Sequence, residues 1–404
     1  MSIKVKIVND PVYGFLRIPE PEIMQVIDHP LFQRLRNIKQ MGLAHMVYPG
    51  AVHTRLHHSL GTCHLMGKAL EELRTKDIQL DKDEFLAARL AALLHDIGHG
   101  PFSHSLEGLL VNVRHEVISK ILMEQMNEEF GGMLSKALQI FEHSYPRTYL
   151  HQLVSSQLDV DRMDYLNRDS FYTGVSEGVI GYDRILQMLN VRDNELVVEE
   201  KGVHSVEKFI IARRLMYWQV YLHKTVLSAE MLLVNIVKRA KELTRSGHRL
   251  FATPSLQYFL ENEVDEKTFR ANPEIIKRYC SLDDSDISAS IKVWQDDSDP
   301  VLSKLCKMLN LRNLYKIQFV SESLAENLRE KKDYAVHTLG VKEEHIHYFV
   351  FDGIASNNTY NVENELIKIE TKSGLVRNIS EIEDSLVNQT IARSVHKGYI
   401  CYVK

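Results

Sequence analysis

Cysteine and long apolar runs are both scarce in this sequence of 404 residues. The four cysteines, Cys63, Cys280, Cys306 and Cys401, lie far apart and form no C-x-x-C pair. This spacing excludes a small disulfide-built domain and favours a reducing, cytoplasmic setting. No apolar run approaches the roughly 20 residues of a membrane-spanning helix, and residues 1–6 alternate in character instead of forming an apolar signal segment. We therefore expect a cytoplasmic protein without a membrane partner.

A strong excess of charge of one sign is also missing. Lys and Arg together number 49 against 54 Asp and Glu, which gives a formal net charge of −5. A broad basic surface for nucleic acid is therefore not expected, whereas the net charge does not exclude binding of small anionic ligands. Charged residues make up 25% and hydrophobic residues 44%, which is typical of globular proteins and argues against disordered, collagen-like or coiled-coil classes.

The order of patterns along the chain predicts a mainly α fold with a short N-terminal β-hairpin and a smaller mixed α/β C-terminal lobe. Residues 1–247 are expected to form the helical domain, with the hairpin at 3–18. Residues 248–309, which contain acidic runs, read as a helical connecting region, and residues 310–404 as the α/β lobe. Apolar periodicity predicts a helix from Pro21, helices at 30–41, 55–73, 84–97, 115–128, 133–142, 150–168, 182–190, 204–244 and 323–334, and strands at 317–320, 347–351, 366–370 and 399–403.

A His-Asp pair at the end of an apolar helix is the most informative local feature. Asp81, with Glu84 three residues later, predicts a capping box at the start of the helix at 84–97. This helix carries only Arg89 as a charge between Glu84 and His95, so Asp96 is directed toward the interior. A buried carboxylate must be compensated by an opposite charge or a metal ion. Eight of the 19 histidines lie between positions 53 and 115, so further imidazoles are available nearby.

Four residues from three separate helices form a candidate metal site: His58, His95, Asp96 and Asp161. Two imidazoles and two carboxylates suit one divalent ion of manganese, magnesium, iron, nickel or zinc, with positions left for water and substrate. Taken singly, each histidine is more often a hydrogen-bonded structural residue, and Asp161 could pair with Arg162 or cap a helix. The combination is what indicates a metal.

These residues resemble the H…HD…D signature of the HD-domain metal-dependent phosphohydrolases. Further blocks, in order along residues 4–245, resemble the deoxynucleoside triphosphate triphosphohydrolase (dNTPase, dGTPase-like) branch, which includes a vertebrate enzyme with a sterile-alpha-motif domain and bacterial relatives. The blocks are residues 9–14, 32–36, 55–61, 95–104, 115–116 and 159–169. The resemblance implies a helical HD-domain core and hydrolysis of dNTPs to deoxynucleoside and tripolyphosphate.

The resemblance also implies roles for residues around the metal. His104 would protonate the departing 5′ oxygen, with Glu107 orienting it. His99, His115 and Glu116 would line the phosphate channel and share proton transfer. Without the resemblance, these histidines would be read as loop or surface residues.

Substrate contacts are implied on three segments. Arg55 would clamp phosphate oxygens, and Gln40 and Met41 would touch sugar and base without selecting one base, so broad dNTP use is expected. On the Asp161 helix, Tyr165 and Asp169 would recognise deoxyribose. A stripe on the next long helix, with Arg213, Tyr217, Tyr221 and Lys224, would contact phosphates and base, although such a stripe is more often core. Tyr217 stands where the vertebrate enzyme has a His.

A regulatory site for an activating guanine nucleotide between subunits of a homo-dimer or homo-tetramer is implied by six further positions: Lys6, Asp28, Gln33, Arg36, Arg184 and Lys201. The alternative for these residues is a set of solvated surface charges. Ser205 replaces an Asn of that site, so the match is incomplete.

Two other functions stay open at this point. An HD phosphohydrolase could act on a nucleoside monophosphate, a cyclic dinucleotide or an alarmone with the same metal ligands. The chain could also be a nucleotide-binding or single-stranded nucleic-acid binding module with a structural metal, although the histidines around the site favour proton transfer.

Overall fold

The computed structural model describes residues 5–320, 324–339, 342–357, 366–382 and 395–403. Helices α1 to α9 are Pro21–Ile27, Pro30–Gln33, Arg55–Thr75, Lys82–Leu94, His115–Glu129, Ser135–Phe141, Thr148–Val154, Val160–Thr173 and Tyr182–Met188. Helices α10 to α17 are Val203–Met216, Lys224–Arg245, Pro254–Glu261, Glu266–Ala271, Pro273–Cys280, Asp284–Trp294, Pro300–Asn310 and Leu324–Leu339. Strands β1 to β9 are Lys6–Asp10, Gly14–Ile18, Leu189–Arg192, Glu195–Glu199, Lys316–Val320, Val350–Asn357, Lys368–Glu370, Val376–Asn378 and Val395–Tyr402.

Three small sheets accompany the helices. Strands β1 and β2 form the N-terminal antiparallel hairpin, whose turn is held by the Asp10 carboxylate accepting from the Val12 and Tyr13 amides, each at 2.9 Å. Strands β5, β9 and β6 form an antiparallel sheet. A mixed sheet has the strand order β3, β4, β7, β8, in which β4 and β7 run parallel and the other neighbours run antiparallel. The predicted fold class, mainly α with these small β additions, is confirmed. The division at 247 and 309 stays a prediction.

The centre of the fold is built by α3, which packs against α4 and against α8. On α4, Leu90, Leu93 and Leu94 are completely buried, as the apolar pattern requires. Asp81 caps the start of this helix by accepting from the Glu84 amide at 2.7 Å, and Glu84 reciprocates, which confirms the predicted capping box. The amino end of α3 and α8 and the carboxyl end of α4 thereby meet at one place in the core.

Two predicted helices end or break for identifiable reasons. The helix predicted to Ile97 stops at Leu94 because the Ser119 hydroxyl bonds both the His95 carbonyl (2.8 Å) and the Gly98 amide (2.9 Å), which holds the chain in a turn. The helix predicted at 30–41 ends at Gln33 and continues as a 3₁₀ turn to Asn37, after which Lys39 pairs with Thr54 in a β-bridge. Both predictions of a longer helix are wrong.

Two other predicted helices are interrupted. The segment predicted as one helix at 150–168 is α7 and α8, because Asp159 caps α8 by accepting from the Arg162 amide at 2.7 Å. The segment 204–244 is α10, a π-helical turn at Tyr217–Tyr221 and α11, which His223 caps through its ring nitrogen. These interruptions give the chain the bends that open a cavity beside α8. The first residue of the helix predicted at 323–334, Ser323, lies outside the described residues.

No single helix among the described residues is both long and apolar enough to cross a membrane. One bent pair, Glu200–Tyr221 with Lys224–Arg245 at 58°, reaches the required length and composition together.

Candidate active site

One cavity of about 420 Å³ lies where α3, α4, α8, the π-helical turn and α11 meet. Its wall contains twelve residues that the sequence singled out: Gln40, Met41, Arg55, Asp96, His99, His104, His115, Asp161, Tyr165, Asp169, Tyr217 and Tyr221. Residues that the sequence did not single out complete the wall: Gly42, Ala44, Phe102, Ser103, Ser105, Arg162, Val226 and Glu230. The structure therefore brings most of the predicted site together around one cavity.

His58 lies completely buried near the start of α3 with its ring fixed from behind. Its Nδ1 donates to the Asp164 carboxylate at 2.7 Å, and Asp164 is in turn held by Arg168 through two bonds of 2.9 Å. Because Nδ1 carries the proton, Nε2 keeps its lone pair for the cavity side, where it has no hydrogen-bond partner. This arrangement is typical of a metal-binding histidine.

His95, the residue that ends α4, has the same arrangement. Its Nδ1 lies 2.7 Å from the Ala92 carbonyl, which can only accept, so Nδ1 is the protonated nitrogen. The His95 Nε2 is likewise buried without a hydrogen-bond partner. Two imidazole lone pairs are thus left in the core without donors, which is costly unless a cation occupies the space between them.

Two carboxylates complete this group, which we call the metal wall: His58, His95, Asp96 and Asp161. The His58 Nε2 lies 3.1 Å from Asp161 Oδ1 and 3.6 Å from Asp96 Oδ2, and the His95 Nε2 lies 3.6 Å and 3.5 Å from the same two residues. The four predicted ligands thus converge on one point. The donor set fits a divalent ion such as manganese, iron, nickel, zinc or magnesium and does not distinguish among them.

The charges of the metal wall also favour a cation. Burial alone would raise the pKa of Asp161, but the imidazoles of His58 and His95 lower it far below its usual range. Burial likewise opposes ionisation of Asp96, yet His95 and Arg55 keep its pKa well below normal. The two carboxylates therefore stay ionised. Burial alone would lower the pKa of His58, but Asp161 and Asp164 raise it to about 10.

Arg55 is directed toward the metal wall. Its Nη1 donates to Asp96 Oδ2, and its Nε donates to the Ser103 hydroxyl at 2.8 Å, which in turn donates to the Lys39 carbonyl at 2.9 Å. The guanidinium, completely buried, fixes one oxygen of Asp96 and leaves the other for the metal side. The predicted phosphate clamp by Arg55 stays a prediction, since the contacts observed are to Asp96 and Ser103.

Three histidines and one carboxylate form a second cluster beside the metal wall. Glu107 accepts from His115 Nδ1 at 2.7 Å and contacts His104 Nδ1 at 3.1 Å. The rings of His99 and His115 stack at 3.8 Å, and the His99 Nε2 lies 3.5 Å from Asp96 Oδ1. Burial alone would raise the pKa of Glu107, but hydrogen bonds from His104 and His115 lower it far below its usual range. Glu107 thus holds two imidazoles with their Nε2 atoms free for the cavity.

The turn that carries this cluster is strained. Phe102 and Ser103 adopt φ of +54° and +52°, a conformation that costs about 1–2 kcal/mol for each residue with a Cβ atom. Asp284, at the start of α15, holds the turn by accepting from the Phe102 amide at 2.8 Å and from the Lys39 amide at 3.0 Å. The sequence showed Asp284 only as part of an acidic run, and no local pattern could reveal a contact with a residue 182 positions away.

The opposite wall of the cavity is aromatic and polar. Both oxygens of Asp169 are engaged, one by His53 Nε2 and one by the Tyr221 hydroxyl, each at 2.7 Å. Tyr165 and Tyr217 pack edge-on against the Tyr221 ring, with centroids 6.2 Å and 5.3 Å away. The predicted grouping of Tyr165, Asp169 and Tyr221 in one place is therefore observed. His53 was not predicted as a site residue. The one signal that could have identified it is its position in the histidine-rich segment between residues 53 and 115.

Some predicted site residues lie elsewhere. Glu107 contacts His104 and His115 on the side away from the cavity wall and does not line the cavity itself. Glu116 pairs with Arg114 at 2.7 Å, and its distance to His115 is 3.6 Å. Arg213 is buried and donates to Gln157 at 3.1 Å, outside the cavity wall. Lys224 starts α11 and lies over the Phe319 ring at 5.1 Å.

The six residues predicted for nucleotide regulation lie outside this cavity. Four of them, Asp28, Arg36, Arg184 and Lys201, are exposed, as is Lys6 at the start of β1. Within the part of the chain that the structure describes, the hydrogen bond that joins two members of the set runs from Arg36 to Gln33 at 2.6 Å.

Comparisons with known proteins give consistent results. The HD domain model matches residues 55–169, and the model of the HD associated region matches residues 180–252. Protein YwfO of Bacillus subtilis is 34% identical over 319 residues, which cover 77% of this chain and 71% of that protein. A deoxynucleoside triphosphate triphosphohydrolase SAMHD1 homolog of Dictyostelium discoideum is 27% identical over 354 residues, which cover 80% of this chain and 64% of that one.

A solved structure is also similar over the full length. The crystal structure of a phosphohydrolase from Bacteroides thetaiotaomicron superposes with a TM-score of 0.95 at 46% identity and covers 99% of this chain and 100% of its own.

Proposed function

The chain belongs to the HD-domain phosphohydrolase family, and on this premise we propose that it hydrolyses deoxynucleoside triphosphates to deoxynucleoside and tripolyphosphate with one divalent metal. The observation that carries the proposal is that one cavity of about 420 Å³ is lined by members of all three groups: Asp96 and Asp161 of the metal wall, the three histidines of the second cluster, and Tyr165, Asp169 and Tyr221. A cavity of this size accommodates a nucleotide-sized ligand. The name of the Dictyostelium relative supports the same substrate class.

The metal wall supplies the phosphate end of the site. His58, His95, Asp96 and Asp161 would hold the ion, which when bound polarises a phosphate oxygen and lowers the pKa of a coordinated water. Arg55 contributes by fixing the orientation of Asp96. Hydrolysis of a phosphate ester mainly needs charge neutralisation and positioning, and these residues supply both.

The histidine cluster supplies proton transfer. His104 lines the cavity, its side chain is 68% exposed, and its Nδ1 faces Glu107. In the charged form, His104 can give its Nε2 proton to the departing 5′ oxygen while Glu107 stabilises the imidazolium. His99 and His115, stacked on each other, would line the path of the phosphates. Tyr165 and Asp169 would face the sugar, with Asp169 held rigid by His53 and Tyr221.

Activation and assembly are part of the same proposal. An activating guanine nucleotide would bind near Lys6, Asp28, Gln33, Arg36, Arg184 and Lys201 at a contact between copies of the chain, in a homo-dimer or homo-tetramer. The exposure of most of these residues in a single copy supports a role at a contact surface. A cytoplasmic location is proposed from the cysteine usage alone.

The test is product identification by chromatography after incubation of the pure protein with each dNTP and each NTP in the presence of Mn²⁺ or Mg²⁺. Deoxynucleoside plus tripolyphosphate is expected, with dNTPs cleaved faster than NTPs. Pyrophosphate, stepwise phosphate release or cleavage of a different nucleotide class would reject the dNTP assignment.

A variant pair connects the activity with the metal wall. We expect Asp161→Ala, in the first turn of α8, to abolish metal-dependent hydrolysis without unfolding the protein. Asp183→Ala is the control, because Asp183 stands in the first turn of α9 and pairs with Lys68 at the surface, outside the cavity wall. Full activity of the Asp161 variant in excess metal would remove this residue from the ligands.

A further inference from the structure

One carboxyl group in the cavity wall has no role in the proposed chemistry. Glu230 lies on α11, and its neighbours in the wall are Met41, Gly42, Ser105 and Val226. A Cβ atom built on Gly42 would lie 3.8 Å from Glu230 Oε1, so this oxygen packs beside Gly42 in the cavity wall. The Ser105 hydroxyl bonds the same carboxyl group. Glu230 is therefore a side chain of the cavity wall.

Glu230 differs from the other carboxylates of the wall by its lack of a basic partner. Asp96 has Arg55, Asp161 has His58, and Asp169 has His53. Among the residues that the structure describes, no Lys, Arg or His forms an ion pair with Glu230. The groups that interact with its carboxyl are the Ser105 hydroxyl and, through its charge, Tyr399 of β9. Burial raises the pKa of Glu230 to about 7. A protein keeps such a costly group in a cleft where a ligand can satisfy it.

The charge of Glu230 limits which part of a dNTP can lie against it. A carboxylate repels phosphates, and the basic groups that attract phosphates, such as Arg55, His99 and His115, stand at the metal wall. The deoxyribose is assigned to Tyr165 and Asp169. Met41, Ala44 and Val226 give the segment around Glu230 an apolar wall that suits the faces of a flat ring. The part of a dNTP that remains to contact Glu230 is the edge of the base.

We propose that Glu230 reads the base and makes the site selective for guanine. Guanine alone among the four bases presents two adjacent N–H donors, at N1 and at the 2-amino group, to the two oxygens of one carboxylate. Adenine and cytosine present one donor beside an acceptor nitrogen, and thymine presents one donor between two carbonyls, so each places an acceptor against the carboxylate. This inference rests on the proposed function, and it replaces the broad dNTP use expected from Gln40 and Met41.

The test compares kcat/KM for dGTP, dITP and dATP in the wild-type enzyme and in Glu230→Gln. One good bidentate contact discriminates by about 1–3 kcal/mol, or roughly 5- to 150-fold. We expect wild type to prefer dGTP over dATP by about tenfold or more, with dITP, which lacks the 2-amino group, in between. Glu230→Gln, with one acceptor and one donor, should lower kcat/KM for dGTP by about tenfold and raise it for dATP.

Glu242→Gln is the control for loss of a charge from the same helix, because Glu242 is exposed and pairs with Arg239 outside the cavity. It should leave the dGTP to dATP ratio unchanged. Equal kcat/KM values for dGTP and dATP in wild type, or an unchanged ratio in Glu230→Gln, would overturn the inference while leaving dNTP hydrolysis intact.

Binding separates this inference from the proposed function. Calorimetric titration of the wild-type protein with deoxyguanosine and with deoxyadenosine needs no turnover. Tighter binding of deoxyguanosine, lost in Glu230→Gln, would support base reading even if no dNTP were cleaved. Equal affinities for the two nucleosides would reject it whatever the reaction.

Discussion

At the scale of single residues, the site depends on which nitrogen of each histidine is already occupied. His58 and His95 each use Nδ1 on a fixed acceptor, Asp164 or the Ala92 carbonyl, and therefore present Nε2 to the metal wall. His104 and His115 use Nδ1 on Glu107 and present Nε2 to the cavity. The same side chain thus serves metal binding or proton transfer according to its neighbours.

Glu107 is the residue through which the second pair can be tested. In Glu107→Gln, the amide can accept from only one of the two imidazoles, and its NH₂ group faces the other Nδ1–H. One ring must change its tautomer or orientation, so we expect kcat for dNTP hydrolysis to fall about 100-fold while KM stays within about threefold. Steady-state kinetics across pH 6–9 would measure both constants.

The control for this variant is Glu124→Gln on the same helix as His115. Glu124 carries the same charge but contacts Lys120 and Arg270 at the surface, so its kcat should match that of wild type. If Glu107→Gln changed KM alone, or behaved like the control, Glu107 would not support proton transfer.

At the scale of elements, regular helices were predictable and their interruptions were not. Apolar spacing located α3 and α4, and the capping residues Asp81 and Glu84 located the start of α4. The turn after Leu94 depends instead on Ser119, and the start of α8 depends on Asp159 competing for the backbone. Such breaks arise from side chains that a periodicity analysis treats as ordinary polar positions.

The site was predictable to a similar extent. The metal wall could be found because histidines concentrate in one segment and match a family signature. Asp284 and Glu230 could not be assigned from the resemblance, since their roles depend on contacts between distant segments. A lone Glu within the apolar run at 226–237 was the available signal for Glu230.

The strained turn at Phe102 and Ser103 gives an element-scale prediction. In Asp284→Asn, one of the two backbone amides now bonded by Asp284 faces an NH₂ group and loses its acceptor. We expect a loss of about 1–2 kcal/mol in unfolding free energy together with about a tenfold lower kcat, because the turn positions Ser103 under Arg55 and carries His104. Urea unfolding and steady-state kinetics on the same preparation would give both values.

Asp286→Asn is the control that separates the positioning of the turn at Phe102 and Ser103 from the stability of the fold. Asp286 stands in the same first turn of α15 and accepts from the Thr253 hydroxyl at 2.6 Å and the Asp283 amide at 2.8 Å, away from the cavity. This variant should lose a similar amount of stability and keep the wild-type kcat. Equal kcat values for the two variants would show that Asp284 only stabilises the fold.

At the scale of the whole molecule, the hairpin and the helical core are joined by buried groups that carry charge. Arg168 on α8 bonds Asp10 of β1 at 2.8 Å as well as Asp164, so the N-terminal turn is tied to the same network that orients His58. His64 on α3 packs between this network and the hairpin, with its ring 5.4 Å from that of Tyr13. Protonation of this part of the core therefore bears on the stability of the whole fold.

His64 gives the pH dependence of that stability. Burial, followed by the nearby Lys68 and Arg89, lowers the pKa of His64 to about 4 in the folded state, below its ordinary value of 6.5. Between pH 4 and pH 6.5 the unfolded chain binds a proton at His64 and the folded chain does not, so the free energy of unfolding falls as the pH falls. The full stability is present above pH 6.5, and the contribution of His64 is lost as the pH falls toward 4. Between pH 7 and pH 5 we expect a loss of about 2 kcal/mol from this residue.

Other groups titrate over the same range, so the measurement must be a difference between proteins. Urea unfolding at pH 7 and pH 5 would be compared for wild type and His64→Gln, which cannot be protonated, with His204→Gln as the control at a side chain that is 87% exposed. The wild type and the control should lose about 2 kcal/mol more than His64→Gln on acidification. The same loss in all three proteins would show that the contact between hairpin and core is indifferent to the charge of His64, and that acid sensitivity arises elsewhere in the fold.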